Sequence, residues 1–180
     1  VTIMAAKVFP ICAIILCVWM KPSYAQHPWE TECGNQTYGP VNMGIDFVDL
    51  REQYNKTGNI TQPNKGVSEQ KVVYGGYEFW FRDANNKQLF QSDPTHYLPQ
   101  YGCWCAWGIT GKCAECVAPQ CIAGACALSS DGYAFINDKL YCFMVPVAKQ
   151  EFMSNATGNI ALADQIWIQV LAMRNTSSCY

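Results

Sequence analysis

The chain has 180 residues, 50% of them hydrophobic and 14% charged, with a formal net charge of −2. That length and apolar content predict one core-forming domain and exclude a disordered chain. The near-neutral charge, with no basic run, excludes a nucleic-acid partner.

Residues 1–25 read as a signal peptide, with Met4 as initiator and residues 1–3 upstream of it. Lys7 supplies the positive start, Val8–Met20 the apolar stretch and Ser23-Tyr24-Ala25 the small-x-small cleavage pattern. The apolar stretch is shorter than the ~20 residues that a membrane-spanning helix needs. Ile160–Met173 is interrupted by Asp164, Gln165 and Gln169, so no membrane span is expected after cleavage. Asn-x-Ser/Thr sequons at Asn35, Asn55, Asn59, Asn155 and Asn175 are glycosylation candidates. Leader and sequons together predict a secreted, extracellular glycoprotein.

Residues 26–43 form a polar, aromatic-containing N-terminal arm with Cys33. Phe47, Leu50 and Tyr54 follow at i, i+3 and i+7, one face of a helix. Asn55–Gly66 is a loop by composition. Lys71–Tyr74 and Tyr77–Phe81 flank Gly75-Gly76 and predict a two-residue hairpin, since both glycines accept positive φ. In its second strand Tyr77, Phe79 and Phe81 face one way, Glu78 and Trp80 the other. Asp83 caps a helix over Ala84–Gln91, and Asp93-Pro94 repeats the device. The 113–126 stretch is rich in Cys, Ala and Gly without periodicity. Tyr133–Ile136 and Leu140–Met144 predict a second hairpin, and Ala161–Met173 a last helix with Leu162, Ile166, Val170 and Met173 on one face and Trp167 and Leu171 beside it. A short tail, 174–180, closes the chain.

The stretch from Tyr77 to Trp107, and above all the phrase Tyr97-Leu98-Pro99-Gln100-Tyr101-Gly102-Cys103-Trp104-Cys105-Ala106, resembles the YHS domain in its secreted or periplasmic versions. Gly44–Leu50 is similar to that family's opening phrase, with Phe47 in place of the usual proline, and Gly132–Phe143 to its second hairpin. The resemblance implies a YHS-like domain over 44–173 with a Cys-rich insertion at 113–126 and a helix over Val147–Met153. The expected fold is α+β: a small antiparallel sheet built from two hairpins, helices packed on it, and disulfides as staples. Cys105 falls on the family's cysteine and Cys103 on its second glycine, which implies a pairing of Cys103 with a cysteine of the insertion.

Of 11 cysteines, Cys12 and Cys17 fall in the leader. The others are disulfide candidates in an oxidising compartment: Cys33, Cys103, Cys105, Cys113, Cys116, Cys121, Cys126, Cys142 and Cys179. Their odd number leaves one for a disulfide-linked dimer. The sharper reading is a soft-metal site for Cu or Zn, with Cys103, Cys105, Cys113 and Cys116 at chelating spacing and His96 or Met144 as a further ligand. Metal-associated relatives of the fold carry a cysteine between strand and helix, and Phe81–Gln91 has none, so no cofactor is the first expectation. A Cys105–His96 nucleophile pair lacks a third, orienting group, and no catalytic constellation is found. Trp80, Phe90, Tyr97, Tyr101, Trp104 and Trp107 are the candidates for an apolar ligand pocket. The expected function is a secreted, non-enzymatic YHS-domain protein, a binding or structural component of an extracellular matrix, secretion or surface. Its partner would be a protein or a small apolar ligand; thiolate/His metal binding and small apolar-ligand binding are the alternatives.

Overall fold

A computed structural model describes residues 37, 39–113 and 129–174, the last four by their backbone. The expected signal peptide, most of the N-terminal arm and of the insertion, and residues 175–180 of the tail lie outside the described residues. So do Cys33, Cys116, Cys121, Cys126, Cys179, Asn35 and Asn175.

A 3-10 turn at Val41–Gly44 leads into α1 (Phe47–Thr57), then β1 (Val67–Tyr74) and β2 (Tyr77–Phe81). Helices α2 (Ala84–Ser92) and α3 (Pro94–Tyr97), a turn at Gln100–Cys103 and α4 (Ala106–Ile109) follow. Beyond the insertion come β3 (Tyr133–Ile136), β4 (Lys139–Cys142), α5 (Pro146–Ser154) and α6 (Ala156–Arg174). None of the described helices is long and apolar enough to cross a membrane.

Local chemistry accounts for the boundaries. The Asp46 carboxylate accepts from the Val48 and Asp49 amides at 2.9 and 3.0 Å and opens α1, which Gly58 closes at φ 72°. Asp83 caps α2 through the Asn86 amide at 2.9 Å, and Asp93 caps α3 with Pro94 in its first turn. Gly75-Gly76 (φ 58° and 81°) and Asn137-Asp138 (φ 49° and 63°) both supply the positive φ that two-residue hairpin turns require to match the right-handed twist of the strands.

The two hairpins do not join. β1–β2 and β3–β4 are separate two-stranded antiparallel sheets, which corrects the expectation of a single sheet made from both. The second hairpin is covered on both faces. Tyr133 pairs with Cys142 and Phe135 with Leu140, and these side chains face a first core; Ala134 pairs with Tyr141, facing a second. A strand's two-residue period thus distributes one hairpin between two cores.

The first core gathers Phe47, Leu50, Tyr77, Phe79, Phe81, Phe90 and Tyr97. Phe90 is its centre, with ring centroids 5.1 Å from Phe79 and 4.9 Å from Phe81. The second gathers Tyr101, Ala106, Ile109, Tyr141, Phe143, Phe152, Ala163 and Trp167. In α6 the buried line is Asn159, Ala163 and Trp167, not the predicted face through Leu162, Ile166 and Val170, which is only half-buried. Apolar residues surround this helix, so periodicity does not choose its inner side; Asp164 and Trp167 do, by contacting Tyr101.

Arg51 binds α1 to the second hairpin. Its guanidinium pairs with the Asp138 carboxylate, donates to the carbonyls of Asp138 and His96 at 2.9 and 2.7 Å, and lies 4.5 Å above the Phe135 ring.

Candidate functional site

The six aromatic candidates do not line one pocket. Phe90 and Tyr97 belong to the first core, Tyr101 to the second, while Trp104 packs edge-on to Trp167 at 5.5 Å. Trp80 does lie on the opposite side of β2 from Phe79 and Phe81, but its ring covers Gly44: a Cβ there would come within 2.7 Å of it. Its indole N–H donates to Glu78 at 2.6 Å, and that bond, with Lys71 beside it, holds the Glu78 carboxyl below its ordinary value. Trp107 borders an apolar hollow.

That hollow is lined by Trp107, Cys113, Met144, Val145, Val147, Ala148 and Glu151 and encloses about 280 Å³. Two of its residues stand out into solvent, Val145 at 41% and Val147 at 57% exposure. Pro146 makes this geometry: it starts α5 at its first turn while Val145 stays extended, which splays both valines away from the core. Phe152, on the same helix, is fully buried against Phe143 and Tyr141 and holds the floor in place. Above the Trp107 ring lies the Lys112 ammonium, 5.7 Å from its centroid and 2.8 Å from the Asn159 side-chain oxygen. Glu151 is the one carboxylate in the lining, so the chemistry on offer is apolar contact.

A second cleft is polar. Arg51, Asp93, Thr95, His96, Gln100, Asp138 and Lys139 surround about 270 Å³ between α3 and the tip of the second hairpin. Arg51 is already engaged by Asp138, and Asp93 by Thr95 and the His96 amide, which lower the Asp93 carboxyl from its ordinary value. His96 is exposed and stacks edge-on to Tyr97 at 4.8 Å; no cysteine lines its cleft. Of the expected ligand set of His96, Cys103, Cys105, Cys113 and Cys116, the last lies outside the described residues and the other four are divided between this cleft, the interior and the apolar hollow. Among the described residues no group of three or more His, Cys, Asp or Glu side chains is placed to hold a metal.

Cys103, Cys105 and Cys142 are buried and none is in a disulfide; Cys113 has its partner outside the described residues. The staples expected at these three positions are thus not seen. Cys103 meets Cys142, with the sulfurs 2.8 Å apart. Burial, then the Cys103 sulfur beside it, pushes the Cys142 thiol far up from its ordinary value.

Asp46 and Asp49, at i, i+3, read from the sequence as a helix cap and solvated surface; the cap is found, but both carboxylates are buried. Buried Asp46 accepts from three backbone amides, those of Val48, Asp49 and Arg82, and from the Asn86 side chain at 2.8 Å. Asp49 accepts from Arg82, Gln53 and Asn64. Burial raises the Asp46 carboxyl while those bonds oppose the rise. The i, i+3 spacing was visible in the sequence; the long-range partners were not. Of the sequons, Asn55, Asn59 and Asn155 are exposed.

Comparison with family models, curated proteins and solved structures finds no match.

Proposed function

We propose that the chain is a secreted, non-enzymatic binding module of YHS type, a component of an extracellular matrix, secretion or surface, that holds a small apolar group in the hollow beside Trp107. The observation that supports this reading is the lining: an indole, two solvent-facing valines, a methionine and an alanine, with Cys113 and Glu151 beside them. A volume of about 280 Å³ is just below the ~300 Å³ at which pockets for drug-sized ligands begin. It suits one acyl end or a single ring rather than a large cofactor. The exposed sequons and the leader-like start agree with an extracellular setting.

The test is displacement of the dye 1-anilinonaphthalene-8-sulfonate from the full chain by decanoate, repeated with Val147→Glu. Saturable displacement that weakens about tenfold in the variant supports the reading; a tenfold change corresponds to roughly 1.4 kcal/mol. No saturable binding at millimolar decanoate, or equal affinity in the variant, rejects it.

A further inference from the structure

We propose that Cys103 and Cys142 are a disulfide-forming site, which in an oxidising compartment ties the turn before α4 covalently to strand β4 where the two cores meet. The sulfurs are 2.8 Å apart, 39 residues apart in sequence, and both residues are wholly buried. Closing to the ~2.05 Å of a disulfide takes less than an ångström of movement.

The backbone supplies a second, independent argument. Tyr101, Gly102 and Cys103 wind left-handed, at φ 54°, 62° and 65°. Glycine accepts that conformation, and a residue with a Cβ is disfavoured in it. A cysteine at Cys103 therefore occupies a position better suited to glycine, and the contact it gains there is the Cys142 sulfur. The hydrogen bond from the Trp104 amide to the Tyr101 carbonyl at 3.0 Å fixes the turn. The backbone bridge of Cys105 to Cys142 holds β4 alongside it.

Cys105 is the competing thiol. It is 9% exposed, next in the chain but one to Cys103, and bridged to Cys142 through the backbone. Bridge geometry joins main chains, whereas the sulfur of Cys142 points to Cys103, so the assignment is 103–142.

The chemistry is a two-electron exchange with a small-molecule or protein disulfide as oxidant. Two S–H bonds break, one S–S bond forms and two protons leave. The two electrons reduce the oxidant's disulfide to two thiols; with oxidised glutathione these are two molecules of glutathione. Burial keeps the Cys142 thiol protonated in the folded chain, so exchange proceeds as the chain folds or opens and is slow afterwards.

The full chain is refolded with oxidised and reduced glutathione, its remaining thiols are alkylated, and it is digested without reduction. Trypsin cuts after Lys87, Lys112, Lys139 and Lys149, and chymotrypsin after Trp104, which puts Cys103 and Cys105 on different peptides. The expected product is a Cys103 peptide linked to a Cys142 peptide, with Cys105 outside that link. Alkylation of both Cys103 and Cys142, their release only after metal chelation, or a link from either to any other cysteine overturns the assignment. A second measurement compares thermal midpoints with and without dithiothreitol. The drop attributable to this bond is on the order of 10 °C for a loop of this length and is expected to be missing in Cys103→Ser. Cys103→Gly, which relieves the backbone, serves the same comparison if the serine variant does not fold. An equal drop in the variant and the wild type also overturns the proposal.

Discussion

The two cores share a hairpin but are closed by different means. Around the first, charged and amide side chains fasten the ends of elements: Asp46 holds α1, the end of β2 and α2, and Arg51 holds the second hairpin. Around the second, aromatic edges do most of the closing. Its polar ties are fewer: Tyr101 donates to Asp164 at 2.8 Å, and Asn159 donates to the Phe152 carbonyl at 2.9 Å while accepting from Lys112. Hydrogen bonds are directional and fix each element in one place, although Val67 and Val73 of β1 remain exposed on that side. Dispersion contacts are not directional, and beside the second core Val145, Val147, Met153 and Ile168 remain exposed. The apolar hollow lies on that side.

The largest effects test whether the cores melt together. Phe90→Ala and Phe152→Ala each empty a wholly buried ring site, at a cost of about 3–5 kcal/mol. Because β3–β4 faces both cores, each variant is expected to lower one common denaturant transition with an unchanged slope. A second transition in Phe152→Ala alone would make the cores separate cooperative units.

Asp46→Ala comes next, at about 3 kcal/mol, since it strands buried donors and removes a helix cap together. Gly66→Ala is of similar size, about 3 kcal/mol. Its Cβ would lie 2.3 Å from the Phe81 amide nitrogen, and a backbone neighbour cannot rotate aside as a side chain can. Both are measured by urea unfolding, and a loss below about 0.5 kcal/mol would show that the first core does not depend on these anchors.

An alkaline titration reports on the hairpin between the cores. Burial pushes the phenols of Tyr101 and Tyr133 far up from their ordinary value, and that of Tyr141 up to about 12. A folded-state value above the unfolded one contributes stability that is complete below pH 10 and is lost as the pH rises through the folded values. Unfolding free energy is therefore expected to fall progressively above pH 10, and Tyr141→Phe to reduce that slope between pH 10 and 12. An unchanged slope in the variant would place the titration elsewhere.

The smallest effect is expected at Val147. Val147→Glu lies on the exposed rim, so stability should change by no more than about 0.5 kcal/mol while decanoate binding weakens. A variant that loses binding only by unfolding would erase the distinction between a structural core and the exposed apolar surface beside it.

Local signals were enough to place most elements of this protein. Asp46, Asp83 and Asp93-Pro94 announce α1, α2 and α3, because a cap is a bond between near neighbours in the chain. Gly75-Gly76 and the run around Asn137-Asp138 announce the hairpins, because positive φ suits so few residue types. Tertiary structure alone decided the rest. Alternation shows that a strand has two faces, but not that both are buried, so the separation of the hairpins and the two cores were beyond its reach. The inner side of α6 was likewise settled by Tyr101 from a distant turn. The family resemblance suggested joining Cys103 to the insertion, and cysteine spacing suggested a metal. Its contact with Cys142 depends on three successive left-handed residues and on where β4 passes, and both are consequences of packing across 39 residues of chain.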